Sequence, residues 1–398
     1  MAANCEIPEP KAEKNPISLP PGVPLLRSFY LYLTAGCNLC CRHCWITPTF
    51  VNGQPSPGEY IEEPLLAKTV EEALPLGLRH VKLTGGEPLL YPTFRSLVTT
   101  LSTKGIDMDM ETNGTLIDAE MAAFLKQQTR INFISISLDS IHAEKHDTFR
   151  GVKGAFDRAV AGVKHLVAAG YHPQIIMSPH HGNIGEIDAL VEMAARLGAG
   201  SFKFNPVTNV GRGQGMHKRG EALDYDEIRS LIRYVNGDLQ KRSPIRLFIG
   251  APMALLKVDD LLHDRWRGVC NVLGILGILG TGDMAFCGIG RNVPDLCFGK
   301  VGVDTLRDVW ISHPVLRRLR QDMEGPMPGI CGDCIHGRRC RTGCLAVNYM
   351  ESGKLISPTR FCEIAAERGE FPATRRRNYR VAGEGIARFA DVTATQAR

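Results

Sequence analysis

Cys37, Cys41 and Cys44 follow a C-x3-C-x2-C spacing inside the run Ala35-Gly-Cys-Asn-Leu-Cys-Cys-Arg-His-Cys-Trp45. Three thiolates this close together can hold three corners of a four-iron, four-sulfur cluster and leave the fourth iron without a protein ligand. The same residues have two plainer uses. A zinc knuckle would take its fourth ligand from Cys40 or His43, and a group of thiols can also be mere core packing. Cys40 offers a second triple as well, Cys37/Cys40/Cys44.

Cysteines return late in the chain: Cys270, then Gly282-x4-Cys287, then Cys331-x2-Cys334-x5-Cys340-x3-Cys344, and after a gap Cys362. Four thiolates can close an iron–sulfur cube completely. A zinc ribbon could be built from two of the pairs, but it would strand Cys270, Cys287 and Cys362. The chain holds 13 cysteines, an odd number, and its N-terminus (Met1 to Pro24) is polar and proline-rich rather than a signal or transit peptide. In a reducing compartment metal ligation is the economical use of so many thiols. Cys5 and Cys40 are left over, and Cys297 is a further candidate ligand.

The segments that must position these residues alternate between strand and helix. Strands are expected at Phe29–Leu33, His80–Leu83, Ile106–Glu111, Ile131–Leu138, Pro173–Met177 and Ser201–Asn205. Helices are expected near Glu63–Leu74, Thr93–Lys104, Asp118–Gln128, Phe156–Ala169, Glu186–Leu197 and Tyr225–Gln240. Strand–helix units in series imply a parallel sheet with right-handed crossovers, and too few residues remain for the roughly 250 of an eight-unit barrel. The expected fold is α/β, a partial (β/α)6 TIM-like barrel followed by a small cysteine-rich α+β domain. The boundaries read as a lead-in over 1–26, the barrel over 27–245, a bridging segment over 246–264, the cysteine-rich domain over 265–365 and an Arg-rich tail over 366–398. Val269–Leu279 contains Gly274 and Gly277 and reads as a hairpin or buried loop.

Further motifs fall where these strands run out into loops, the usual place for chemistry in such barrels. They are Thr84-Gly-Gly-Glu-Pro-Leu-Leu90, Glu111-Thr-Asn-Gly114, Ser135-Ile-Ser-Leu-Asp-Ser140, Thr148-Phe-Arg-Gly151 and Gly211-Arg-Gly213. Glycines let backbone approach a ligand closely, and Glu87 can accept hydrogen bonds from an ammonium group.

Taken together, the first cysteine triple and the strand-end motifs resemble the radical S-adenosylmethionine (SAM) enzymes, and the late cysteines resemble the SPASM extension of their peptide-modifying members. The resemblance covers roughly residues 28 to 365. It selects Cys41 over Cys40 and implies that the open iron chelates SAM, which one electron then cleaves to a 5′-deoxyadenosyl radical. It implies SAM contacts from Trp45, Gly85, Gly86, Glu87, Asn113, Ser137, Asp139 and Arg150. It also implies three four-iron clusters. Cys331, Cys334, Cys340 and Cys362 would hold the distal auxiliary one. Cys270, Cys287 and Cys344 would hold the nearer one, with Cys297 as candidate fourth ligand or else an iron left open.

The reading that follows is a peptide maturase that abstracts a hydrogen from a ribosomally made precursor and forms a crosslink, thioether or related product. Its expected partners are the precursor peptide and a flavodoxin- or ferredoxin-type reductant; the 36 residues before Cys37 are too few for a winged-helix module, so leader recognition would need a separate protein or another surface. A formylglycine-forming sulfatase maturase is an alternative, but Gly288 follows Cys287 where those enzymes resemble one another in carrying an aspartate. Asp283 is the one weak candidate for a catalytic base. A non-catalytic iron–sulfur electron carrier is the alternative from another class, though it would have no need of the Glu87 and Asn113 neighbourhoods. A net charge of +5, dispersed, gives no case for nucleic acid. No apolar run reaches the roughly 18 residues of a membrane span, and the expected location is cytoplasmic.

Overall fold

The computed structural model describes residues 18–45, 49–51, 54–262 and 270–377. Cys5 and most of the lead-in, positions 46–48, residues 263–269 and the tail from 378 onward lie outside the described residues.

Seven strands follow one another along the first part of the chain: Ser28–Tyr32 (β1), His80–Thr84 (β2), Asp107–Thr112 (β3), Ile131–Ser137 (β4), Gln174–Met177 (β5), Ser201–Phe204 (β6) and Arg246–Ile249 (β7). Three more come later, Ile275–Ile278 (β8), Asp283–Ala285 (β9) and Cys297–Lys300 (β10). All belong to one ten-stranded sheet in the order β10-β9-β8-β1-β2-β3-β4-β5-β6-β7. From β8 to β7 every pairing is parallel, while β8, β9 and β10 pair antiparallel.

Period-two alternation decides which side chains face the barrel's interior. In β2, Val81 and Leu83 are fully buried under the helices, whereas His80, Lys82 and Thr84 are half-buried on the inner face. In β3, Met108 and Met110 turn outward and Asp109 and Glu111 turn inward. The outer surface of the sheet is thus the apolar core and the inner surface a polar chamber.

The connecting helices are Glu63–Ala73 (α1), Phe94–Thr103 (α2), Ala119–Gln128 (α3), Ala143–Arg150 (α4), Ala155–Ala168 (α5), Ile187–Arg196 (α6) and Tyr225–Tyr234 (α7). Their packing faces follow helical spacing, as with Ile187, Leu190, Val191 and Ala194 of α6. Asp118 caps α3 through the Met121 N–H, and Asp224 and Glu227 form a reciprocal capping box on α7. The helix expected to reach Gln240 does so and ends at Arg242, with a π turn over Val235–Leu239.

Two parallel strands were not expected. β7 falls in the presumed bridging segment and is only four residues long. β8 lies in the stretch read as a hairpin or loop. All four of its residues are buried, so it has no alternation to betray it. It pairs with β1 and covers what would otherwise be an open edge. The boundary drawn at 265 therefore falls within a continuous sheet. Beyond it lie helices Leu306–Ser312 (α8), Pro314–Glu324 (α9), Leu345–Ser352 (α10) and Arg360–Glu367 (α11). Trp310 of α8 is buried and donates its indole N–H to the Pro24 carbonyl at 2.9 Å, tying the C-terminal part to the lead-in. Among the described residues no helix is long and apolar enough to cross a membrane.

Candidate active site

The cysteine loop leaves the C-terminal end of β1 and is clamped from below by the turn after β2. Gly86 N–H donates to the Thr34 carbonyl at 2.8 Å and Glu87 N–H to the Gly36 carbonyl at 2.9 Å. The contact is so close that a Cβ on Gly86 would stand 1.9 Å from the Gly36 oxygen. This requires glycine.

Cys37, Cys41 and Cys44 share the wall of a cavity of about 690 Å³; Cys40 is absent from that wall and meets Arg212 Nη1 at 3.1 Å. N–H groups converge on the two buried sulfurs: Leu39 N at 3.4 Å and Asn113 Nδ2 at 3.9 Å from Cys37 Sγ, and Arg150 Nη1 at 3.6 Å from Cys41 Sγ. Burial pushes the Cys37 and Cys41 thiols up; neighbouring thiols push the same way, while Arg150 opposes it at Cys41. Iron is the partner that would draw them out as thiolates. Among the described residues no three His, Cys, Asp or Glu side chains stand close enough to clasp a single ion. A four-iron cube is wider and takes each thiolate at a separate corner, so the donor set suits it.

Six of the eight residues expected to meet SAM line this cavity: Trp45, Gly85, Gly86, Asn113, Ser137 and Arg150. Glu87 and Asp139 stand behind it, and their carboxylates are taken by the protein itself. Glu87 is fully buried and accepts from Thr112 Oγ1 (2.7 Å), Asn113 N (2.9 Å) and Leu89 N (3.2 Å). Burial pushes its carboxyl up to about 7 against those three donors. Its side chain thus builds the Thr112–Asn113 turn instead of reaching an ammonium in the cavity. Asp139 accepts from Arg150 Nε at 2.6 Å and Ser178 N at 2.8 Å. Burial works against the Arg150 charge, but Asp139 and Cys41 more than offset it and hold the guanidinium protonated. Asn113 Nδ2 also donates to Asn38 at 2.8 Å, fixing the amide beside Cys37. Gly211 approaches the Cys44–Trp45 backbone, and Arg212 N–H donates to the Cys44 carbonyl at 2.9 Å. His43 is half-buried, its ring is lowered to about 3 chiefly by desolvation, and it stacks on Phe149.

The cavity is also lined by Cys344, Val347, Asn348 and Phe361 of the C-terminal part. Cys270 lies near Cys344, and burial together with that neighbour pushes its thiol up to about 12. Cys287 sits against Gly277 of β8, with the Tyr30 and Tyr32 phenols under its charge. The Cys297 thiol donates to the Gly290 carbonyl at 3.4 Å, and burial and Asp283 push it up to about 11. Asp283 accepts from Thr281 Oγ1 at 2.5 Å and has no place in the cavity wall. Cys331, Cys334, Cys340 and Cys362 are all buried and line one small pocket with Ala254 and Phe371. The inner-face charges Lys82, Glu111 and Lys203 were missed. The alternation in Phe202-Lys203-Phe204, two buried rings flanking a lysine, was the available signal.

Residues 31–197 match the model of the radical SAM superfamily, and residues 270–335 that of SPASM, an iron–sulfur cluster-binding domain. An AdoMet-dependent heme synthase of Methanosarcina barkeri is 29% identical over 83% of this chain and 94% of that protein. The mycofactocin maturase MftC of Mycobacterium ulcerans is 26% identical over 83% and 86%. The structure of Streptococcus suis SuiB bound to its precursor peptide SuiA superimposes with a TM-score of 0.67 at 19% identity, over 86% of this chain and 76% of that one, which speaks for the fold.

Proposed function

The chain belongs to the radical SAM superfamily and carries the SPASM iron–sulfur extension, and on that footing we propose that it is a maturase acting on a ribosomally made peptide. What carries the reading is one shared chamber, lined by Cys37, Cys41 and Cys44 and also by Cys344 of the C-terminal part. A substrate held there would touch both the site of hydrogen abstraction and an acceptor for the electron that remains. Relatives support the peptide: one is named a mycofactocin maturase, and SuiB, which shares this fold, is bound to the precursor peptide SuiA.

Three clusters are part of the proposal: Cys37, Cys41 and Cys44 for the one that binds SAM, Cys270, Cys287 and Cys344 for the nearer auxiliary one, and Cys331, Cys334, Cys340 and Cys362 for the distal one. With SAM bound, the first supplies a 5′-deoxyadenosyl radical on one-electron reduction. The protein's own residues prepare for that event. Arg150, locked by Asp139, offers a fixed cation to the SAM carboxylate. Glu87 holds the Asn113 turn against Cys37, and the clamped Gly85-Gly86 backbone leaves room for the methionyl group. The nearer auxiliary set would take Cys297 as its fourth ligand or leave an iron open to the substrate. A flavodoxin- or ferredoxin-type reductant, a separate leader-binding protein and a cytoplasmic setting belong to the same proposal.

A heme-type substrate is the second reading, favoured by the heme synthase similarity over nearly that protein's full length. The formylglycine alternative is weakened by packing, because a Cβ at Gly288 would stand 2.1 Å from both Tyr32 and Trp45 ring atoms. The test is anaerobic reconstitution with SAM and reductant, then incubation with a synthetic peptide made from any short reading frame found in the neighbouring genes. 5′-Deoxyadenosine together with a peptide about 2 Da lighter, or otherwise altered in mass, supports the maturase. Release of 5′-deoxyadenosine with the peptide unchanged sinks it, and no release with all clusters loaded points to an electron carrier.

A further inference from the structure

One buried amide in the cavity lining has its nitrogen committed to the protein and its oxygen not. Asn348 lies one turn along α10 from Cys344, and its backbone N–H donates to the Cys344 carbonyl at 3.0 Å. Both residues line the same cavity as Cys37, Cys41 and Cys44, and Asn348 is only 3% exposed. Its Nδ2 donates to the Thr342 carbonyl at 2.8 Å and the Ser357 carbonyl at 2.9 Å, with Thr342 Oγ1 at 3.3 Å. Carbonyls only accept, so the amide cannot be turned end for end, and both of its N–H groups are used. Among the described residues no hydrogen bond employs Oδ1.

The amide is also held still. Arg341 and Thr342 have φ of 52° and 61°, and among the described residues they alone have positive φ without being glycine. A β-branched residue resists that conformation, which persists only where its surroundings enforce it. Thr342 is fully buried, and the Asn348 amide is the clasp on its carbonyl. The orientation of Asn348 is thus fixed by the turn between Cys340 and Cys344 before any ligand arrives.

The rest of the lining decides what could meet that oxygen. Glu111 and Arg150 are the only permanently charged side chains among the described residues that line the cavity. Each is engaged, Glu111 with Lys82 at 2.5 Å and Arg150 with Asp139 at 2.6 Å. Ile228, Ile232, Val347 and Phe361 give the same lining apolar surface. In such surroundings an acceptor left unpaired is costly, so a ligand that brings a neutral donor is favoured over one that does not.

We propose that Asn348 presents Oδ1 to an amide N–H of the substrate and so selects a peptide backbone. A metallated tetrapyrrole has no N–H to give, and its carboxylates would find no uncommitted cation in the lining. Cys344 lies four residues away, about 6 Å of helix rise, so an N–H anchored at Asn348 would hold the adjoining residue of the peptide beside Cys344. The inference rests on the cavity being the substrate chamber of a peptide maturase.

The test uses anaerobically reconstituted protein with SAM bound and two uncharged probes, N-acetylphenylalanine N-methylamide and the same compound methylated at both nitrogens. In a nuclear magnetic resonance titration the first should bind at least about fivefold more tightly than the second, and in Asn348→Ala the two should agree within about twofold. The ratio is read within one preparation, so a merely structural role would lower iron content and leave it unmoved. A crystal structure of the parent complex covers a variant that does not fold, with a probe nitrogen expected within about 3.2 Å of Oδ1. Equal affinities in the parent chain, an unchanged ratio in the variant, no binding of either probe, or an Oδ1 that meets no probe nitrogen each overturn the proposal. So does iron mesoporphyrin binding, read by its absorption shift, that is tighter than the probe's and indifferent to Asn348→Ala. 5′-Deoxyadenosine release on the same preparation reports separately on the radical reading. Release without the N–H preference sinks the Asn348 contact alone, and the preference without release sinks the maturase and leaves the contact standing.

Discussion

The Trp45 indole meets the Tyr32 ring edge-on, with centroids 5.6 Å apart and planes at 80°. Gly288, next to Cys287, packs against both rings, so the loop that follows β1 and the first auxiliary cysteine segment are coupled through an aromatic pair. Gly288→Ala should therefore destabilise by about 1–3 kcal/mol, the usual cost of overpacking. The measurement is the denaturant midpoint of the reconstituted protein. An unchanged midpoint would mean that the rings step aside freely, and the coupling would be withdrawn.

Asp139 and Arg150 make the second testable pair. Burial alone would raise the Asp139 carboxyl, but Arg150 and His146 overcome it and hold it below the ordinary range. A carboxyl depressed in the folded state adds stability above its unfolded pKa of about 4 and loses it as pH falls through the folded value. Asp139→Asn should flatten that acid limb and leave a buried, uncompensated guanidinium, at a cost of about 3–5 kcal/mol. SAM affinity should fall too, because Arg150 loses the acceptor that aims it. Calorimetric binding at neutral pH checks the second effect, and an affinity equal to the parent chain's would remove Arg150 from the SAM site.

Much of the barrel was legible because its strands alternate and its helices carry caps. His80-Val-Lys-Leu-Thr84 shows its two faces in one dimension, and Asp118 and Asp224 mark helix starts by their own side chains. β8 was not legible, because a strand buried on both faces has no polar side to show. Nor could spacing reveal where Glu87 points. Its partners at 112 and 113 are fixed by the neighbouring strand, and its burial is a property of the assembled sheet. The meeting of Cys344 with the first cysteine loop depends on the same long-range closure.

Glu87 gives a pH signature of the opposite sign to Asp139. Its carboxyl is raised to about 7 in the folded chain, mainly by burial. Below about pH 4.5 both folded and unfolded forms are protonated and nothing is lost. As pH rises toward 7 the unfolded chain ionises first, so stability declines, by about 3 kcal/mol once both forms are charged. Urea unfolding from pH 5 to 8 should show this decline in the parent chain and its absence in Glu87→Gln. A slope of equal depth in both chains would move the titration to another group.

The cysteine sets make the sharpest contrast, because their variants should fail in different ways. Cys41→Ala removes one of three thiolates from a site that already lacks a protein ligand at its fourth iron, and about four of the expected dozen irons should be lost with it. No 5′-deoxyadenosine should then form, whatever the auxiliary sites hold. Cys334→Ala opens the closed pocket it shares with Cys331, Cys340 and Cys362, and a similar amount of iron should go. SAM cleavage can persist there, uncoupled from product, because the Cys37 loop packs against other parts of the chain. Cys40→Ala is the control, since that thiol is turned toward Arg212 and stands outside the cavity wall. It should keep its full iron content and its rate of 5′-deoxyadenosine release. Iron analysis and chromatography on the three variants decide it. Loss of cleavage in Cys40→Ala with retention in Cys41→Ala would exchange the two residues and reinstate the triple Cys37/Cys40/Cys44.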